Sequence, residues 1–290
     1  MGVYYINNDQ KKILLFGYPA AVTEVASLLE KHEIAFNILL PIDEEHEQAI
    51  TEQSQDPSIP SILEHYRNTI IRSFESITTP FDIIIDVSIE DTDDRIAVLD
   101  LLLSSPGDPL LLVSTLTTTA TELAGYLHNS NQKIIGFNGT PFLLTNQKVM
   151  EIAPSMQSEP DAIKMATEFF ESLSYSVEVV QDRVGLVTPR VLATLINEAA
   201  FAVMENVASA EDIDNAMKLG VNYPYGLLEW ADMIGIDVVI AILQSLSVEY
   251  EQERYRTCVY LKQLVRAGRV GKSVGHGFFV YPTEHNENIL

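Results

Sequence analysis

The sequence predicts an α/β protein: a doubly wound parallel sheet followed by an all-helical C-terminal domain. Three observations carry this. Short apolar runs alternate with helix-period segments from Lys11 to Val180. The stretches between successive runs are long enough for the helical crossovers that parallel strands require. Beyond Asp182 the strand-like runs stop and only helical periodicity remains.

Lys11–Gly17 (KKILLFG) reads as a buried strand ending in glycine. Ala20–Lys31 follows as a helix, with Val22, Val25, Leu28 and Leu29 on one face. Ala35–Leu40 is the second strand. Residues 41–80 begin polar and turn-rich, are interrupted by Pro57 and Pro60, and then read as one amphipathic helix over Ile62–Ile77. Phe81–Val87, Leu110–Ser114 and Lys133–Phe137 are further buried strands, separated by helices at Asp94–Leu103 and Ala120–Leu127. Val149–Ala153 and Val177–Val180 flank a helix at Glu159–Leu173. In the second half, Pro189–Val207 is a long apolar helix. Ser209 caps the next, with Asp212 at its third position, and Gly220 is expected to end it as a C′ glycine. Leu227–Ile234 follows, then a helix capped by Asp237 and running to about Tyr255, then Val259–Ala267. The expected domains are residues 1–182 and 183–290.

With 18 Lys and Arg against 41 Asp and Glu, the net charge is −23. Such a field repels nucleic-acid phosphates and anionic membranes, so neither is expected as a partner. Arg254, Arg256, Lys262, Arg266, Arg269 and Lys272 concentrate late in the chain. They are read as solvated surface first and as a local phosphate-binding patch second. The single cysteine, Cys258, excludes an internal disulfide and a multi-cysteine zinc site, and is expected in the core. No two histidines have metal-ligand spacing, so no metal is expected. The start, MGVYYINNDQ, lacks the basic and apolar regions of a secretory signal, and no apolar run reaches membrane-spanning length. The expected location is cytoplasmic.

Two runs carry more. SAEDIDNAMKLGVNYPYGLLEWADMIGID (209–237) and LKQLVRAGRVGKSVGHGFFVY (261–281) resemble the C-terminal domain of the 3-hydroxyacyl-CoA dehydrogenase family. The resemblance implies a Rossmann-like first domain that binds NAD, an acyl-CoA or other small ligand, and a helical domain that forms a homodimer. A dinucleotide loop needs glycines for its tight turn, for backbone approach to the pyrophosphate and for helix–strand packing. Here GYPAAV supplies Gly17 but places Pro19 and Val22 at the second and third positions. The acid that binds ribose falls on Leu40 or Pro41, with Asp43 the nearby substitute.

The family's catalytic groups map as follows. Its serine falls on Leu116, between Thr115 and Thr117; its histidine falls on Asn138 or Phe137; its glutamate is matched by Glu151. Its asparagine falls on Pro189, between Thr188 and a retained Arg190. Asparagine cannot act as a neutral-pH base, and His32, His128 and His276 offer no replacement by position. The candidate site residues are therefore Glu151, Asn138 and Thr117 for chemistry, and Gly17 and Asp43 for the cofactor. Two functions stand: a divergent, non-catalytic or impaired homologue acting by binding or interaction, and an active NAD-dependent dehydrogenase with an atypical loop and base.

Overall fold

The apolar runs of the first half form one sheet in the computed structural model, which describes residues 11–41, 58–77, 79–89, 93–104, 107–127 and 133–282. The strands are β1 (Ile13–Gly17), β2 (Phe36–Leu39), β3 (Ile70–Ile71), β4 (Ile83–Val87), β5 (Leu110–Ser114), β6 (Ile134–Phe137), β7 (Val149–Pro154) and β8 (Ser176–Val179). Their spatial order is β3-β2-β1-β4-β5-β6-β7-β8. All neighbours are parallel except β6 and β7, which run antiparallel.

Helices cover both faces of this sheet, so alternate strand residues enter different cores. Ile13 and Leu15 of β1 pack with Val22, Val25 and Leu29 of α1 (Pro19–Lys31). Leu14 and Phe16 face the other way, toward Leu99, Leu102 and Leu103. α2 is Ser58–His65, α3 Asp93–Ser104 and α4 Ala120–Tyr126. The four-residue α5 (Leu143–Asn146) and α6 (Pro160–Ser172) complete the helices of this half.

One predicted element is corrected. The helix expected over Ile62–Ile77 ends at His65, and short 3₁₀ turns at Arg67–Thr69 and Phe74–Ser76 flank β3. Ile70 and Ile71 pair with Ile38 and Leu39 to extend the sheet. That long-range pairing overrides a local helical period, as the β-branched side chains favour.

The chain divides into two compact units between Leu186 and Val187. The second holds α7 (Thr188–Met204), α8 (Ala210–Gly220), α9 (Leu227–Ile234), α10 (Ile236–Tyr250) and α11 (Val259–Arg266); α9, α10 and α11 pack on α7, whose Leu192, Ile196 and Ala200 are buried, and α8 packs on α9. Three boundaries differ from expectation. Gly220 is the last residue of α8 rather than a left-handed cap. Asp237 lies inside the first turn of α10, whose N-cap is Gly235. That helix stops at Tyr250, because Glu251 turns left-handed (φ 49°) before a 3₁₀ turn that buries Tyr255. Cys258 is buried, at the N-cap of α11.

The acidic run at 209–237 has a structural explanation. Ser209 caps α8 by accepting from the Asp212 amide at 3.1 Å. Asp214, one turn on, is buried and turns its carboxylate to the start of α9. There it accepts from Leu228 N and Glu229 N, both at 2.9 Å. Glu229 returns a bond to Gly226 N at 3.2 Å. Asp232 then fixes the C-terminal run, accepting from Phe278 N at 2.8 Å, Phe279 N at 2.9 Å and the Tyr281 hydroxyl at 3.1 Å. Burial raises both aspartates above the usual carboxylate range, opposed by these amide donors.

Candidate functional site

An open parallel sheet places ligands at the carboxyl ends of its strands, where the strand order reverses. Here that point lies between β1 and β4. β1 ends at Gly17, whose φ of 125° suits glycine and few other residues. A Cβ there would stand 2.4 Å from Ser88 N, so the turn is pressed against the end of β4. Tyr18 N donates to Val87 O at 3.3 Å and is thus engaged within the fold. Pro19 opens α1 and has no N–H to offer. Val22 is buried and packs in the core under the sheet.

At the end of β2, Leu40 packs against the same core and its amide donates to Ile71 O at 3.0 Å. Asp43 lies outside the described residues, so the acid proposed for ribose has no described position.

Beneath the ends of β4 and β5 sits a buried ion pair. Arg95 Nε donates to Asp86 Oδ2 at 2.7 Å, and its Nη2 donates to Ser114 O at 2.9 Å. The other Asp86 oxygen accepts from Ser88 N at 2.9 Å. This pair was not among the residues expected from the sequence. Its signal is an aspartate inside IIIDV, an otherwise apolar strand, and an arginine nine residues later on a largely apolar helix. Asp182 was missed too: its carboxylate accepts from Ala120 N at 3.0 Å and Thr121 N at 2.8 Å, at the start of α4.

The chemistry candidates separate. Asn138 and Glu151 meet: the Asn138 amide donates to Glu151 O at 3.1 Å, continuing the β6–β7 pairing that sets Phe137 against Ile152. Phe137 is core, so of the two aligned positions Asn138 is the one beside Glu151. The Asn138 side chain is fully buried and engaged. Its Oδ1 accepts from Thr140 N at 3.2 Å and Thr140 Oγ1 at 2.6 Å, and its Nδ2 donates to Gln147 Oε1 at 3.4 Å. Thr117 is half-buried and donates its hydroxyl to Ile89 O. Leu116, at the serine position, is fully buried.

Pro189 begins α7, and Arg190 beside it stacks on the Tyr250 ring at 4.4 Å and donates to the Tyr255 hydroxyl. Among the described residues no group of three or more His, Cys, Asp or Glu could hold a metal ion. No single described helix is long and apolar enough to cross a bilayer. A separate cavity of about 250 Å³ lies within the second unit, lined by Glu211, Asp214, Lys218, Glu229, Phe279 and Tyr281 among others.

Against known proteins, residues 185–281 match a family described as 3-hydroxyacyl-CoA dehydrogenase, C-terminal domain. A probable 3-hydroxybutyryl-CoA dehydrogenase of Bacillus subtilis is 35% identical over 179 residues, which is 61% of this chain and 61% of that relative. The alignment therefore spans less than two thirds of that relative's length. The 3-hydroxybutyryl-CoA dehydrogenase of Clostridioides difficile is 33% identical over 226 residues, 76% of this chain and 77% of the relative. The crystal structure of (S)-3-hydroxybutyryl-CoA dehydrogenase from Ralstonia eutropha superimposes with a TM-score of 0.71 at 22% identity, over 94% of this chain and 99% of that one. It shares the fold.

Proposed function

The chain belongs to the 3-hydroxyacyl-CoA dehydrogenase family, and from that premise we propose a non-catalytic or strongly impaired member that acts by binding or interaction in or near acyl-CoA metabolism. The family is NAD-dependent. The observation that carries the reading is Asn138. Beside the retained Glu151 stands an amide, fully buried and bonded on both sides by Thr140 and Gln147. An amide has no proton-accepting lone pair of useful basicity, and the oxidation of an alcohol by hydride loss needs a base for the hydroxyl proton. Leu116 and Pro189 remove two further polar groups from the same chemistry.

The cofactor loop supports the same reading. A pyrophosphate needs unengaged amides and room for close approach. Tyr18 N is engaged, position 19 has no N–H, and Val22 fills the helix–strand contact. The residues present do not fit NAD held by a glycine loop.

The test is NADH formation from (S)-3-hydroxybutyryl-CoA, with NAD binding followed by calorimetry. No turnover and no NAD heat are expected. Turnover of about one per second or more, as ordinary enzymes give, would establish the active dehydrogenase instead. Asn138→His alone is expected to restore no turnover, because the cofactor loop and positions 116 and 189 stay as they are. Activity in that variant would show that the rest of the site is intact.

We also propose a homodimer through the helical unit. α7 is largely covered within its own unit, but Val187, Val191, Leu219 and Val221 stay exposed. Exposed apolar residues of this size are what a partner surface would cover. Sedimentation at micromolar concentration is expected to give twice the chain mass, and a monomer would overturn the proposal.

A further inference from the structure

Two arginines of the helical unit share one aromatic ring. Arg190, in the first turn of α7, is half-buried. Its guanidinium carbon lies 4.4 Å from the centre of the Tyr250 ring and 5.3 Å from that of Tyr255, to whose hydroxyl it donates. Arg254 is exposed and sits over the same Tyr255 ring at 4.7 Å. Tyr255 is itself buried, and its ring centre is 5.9 Å from that of Tyr250. Stacking of this kind holds a guanidinium in place while leaving most of its N–H donors open.

The charges held there are not balanced. The chain has 41 acidic residues against 18 Lys and Arg, so acids are in ample supply. Yet neither Arg190 nor Arg254 forms an ion pair among the described residues. Glu253, next to Arg254 in sequence, pairs instead with Arg256 at 3.7 Å. Arg190 also stands where a helix favours an anion. α7 has no acidic residue in its first turn and no side-chain cap, and the partial positive charge of its amino end opposes a guanidinium. A third donor is open beside them. The Tyr250 hydroxyl lies near enough to act on the Arg190 charge, but no partner meets it in hydrogen-bonding geometry, although its oxygen is buried. A buried hydroxyl left in that state is costly.

We propose that Arg190, Arg254 and the Tyr250 hydroxyl form a binding site for a phosphate group. A carboxylate has two oxygens and is satisfied by one guanidinium fork. Donors on three separate side chains suit a tetrahedral group with three or more acceptor oxygens. The site lies wholly within the helical unit and uses none of the residues on which the proposed function rests, so it stands or falls independently of that reading.

The net charge of −23 works against nonspecific anion binding, so a measured association reports the local site. Calorimetry of the full chain with inorganic phosphate, against sodium chloride at equal ionic strength, should show one site per chain. Propionate, the carboxylate control, should bind at least about tenfold more weakly, since it lacks the third acceptor. Methyl phosphate in place of inorganic phosphate separates an ester ligand from the free ion, the tighter of the two naming the form bound. Arg254→Gln alters an exposed side chain, and Tyr250→Phe keeps the ring on which Arg190 stacks, so both should unfold at the native temperature in chloride. Each should weaken phosphate binding by about tenfold, as the loss of one charge-assisted hydrogen bond does. No phosphate heat beyond the chloride control, propionate bound as tightly as phosphate, or native phosphate affinity in both variants would each overturn the site.

Discussion

Asp86→Ala should lower the stability of the first unit by about 3–5 kcal/mol, the usual cost of stranding one half of a buried ion pair. Asp86 is 0% exposed and Arg95 4%, so neither can recover its partner's charge from water without opening the core. The loss is larger than the bond count suggests, because Asp86 also holds Ser88 N at 2.9 Å. Ser88 N is the atom against which Gly17 is pressed. Removing the carboxylate therefore frees both the end of β4 and the wall of the β1–α1 turn. Asp86→Asn keeps the shape and one acceptor and should cost clearly less. Urea unfolding followed by signals from the sheet unit compares the two. A loss below about 1 kcal/mol, within the range of exposed ion pairs, would show that Arg95 finds compensation elsewhere.

This pair also marks what local pattern could reveal. The central strands were legible because burial on both faces makes them continuous apolar runs. A run such as IIIDV still reads as a strand with one odd residue. What the run does not show is that the odd residue meets Arg95 from the next helix, because that depends on how α3 lies over β4. The same limit explains β3. Ile70 and Ile71 are two residues inside a helical period, and only their pairing with Ile38 and Leu39 makes them a strand.

At the site, residue types could be aligned to within one position. The neighbour of Glu151 becomes Asn138 rather than Phe137 through the antiparallel register of β6 and β7, a three-dimensional quantity. The run at 209–237 was legible as a family signature before its cause was. Its aspartates are hydrogen-bond acceptors for backbone amides, at Asp214 and Asp232, so it specifies how the helical unit closes on itself.

That cause makes Gly226→Ala the second large effect. A Cβ at position 226 would lie 2.0 Å from Asp214 Cγ, inside any allowed contact. Asp214 is 2% exposed and cannot swing away without giving up Leu228 N and Glu229 N. The variant must lose the cap, at about 1–2 kcal/mol, and absorb an overpacked contact, at about 1–3 kcal/mol. A total of about 2–5 kcal/mol follows, enough to unfold the helical unit of a marginal protein. The two terms share one residue, so they should not add with loss of that residue. Asp214→Ala in the native background removes the cap outright. In the Gly226→Ala background it removes a cap already broken and also relieves the clash, so it should cost much less or even stabilise. Thermal and denaturant unfolding of the two single variants and the double variant close that cycle. Costs that simply add would mean that position 226 acts through backbone freedom alone, and that Asp214 reaches α9 whatever stands there.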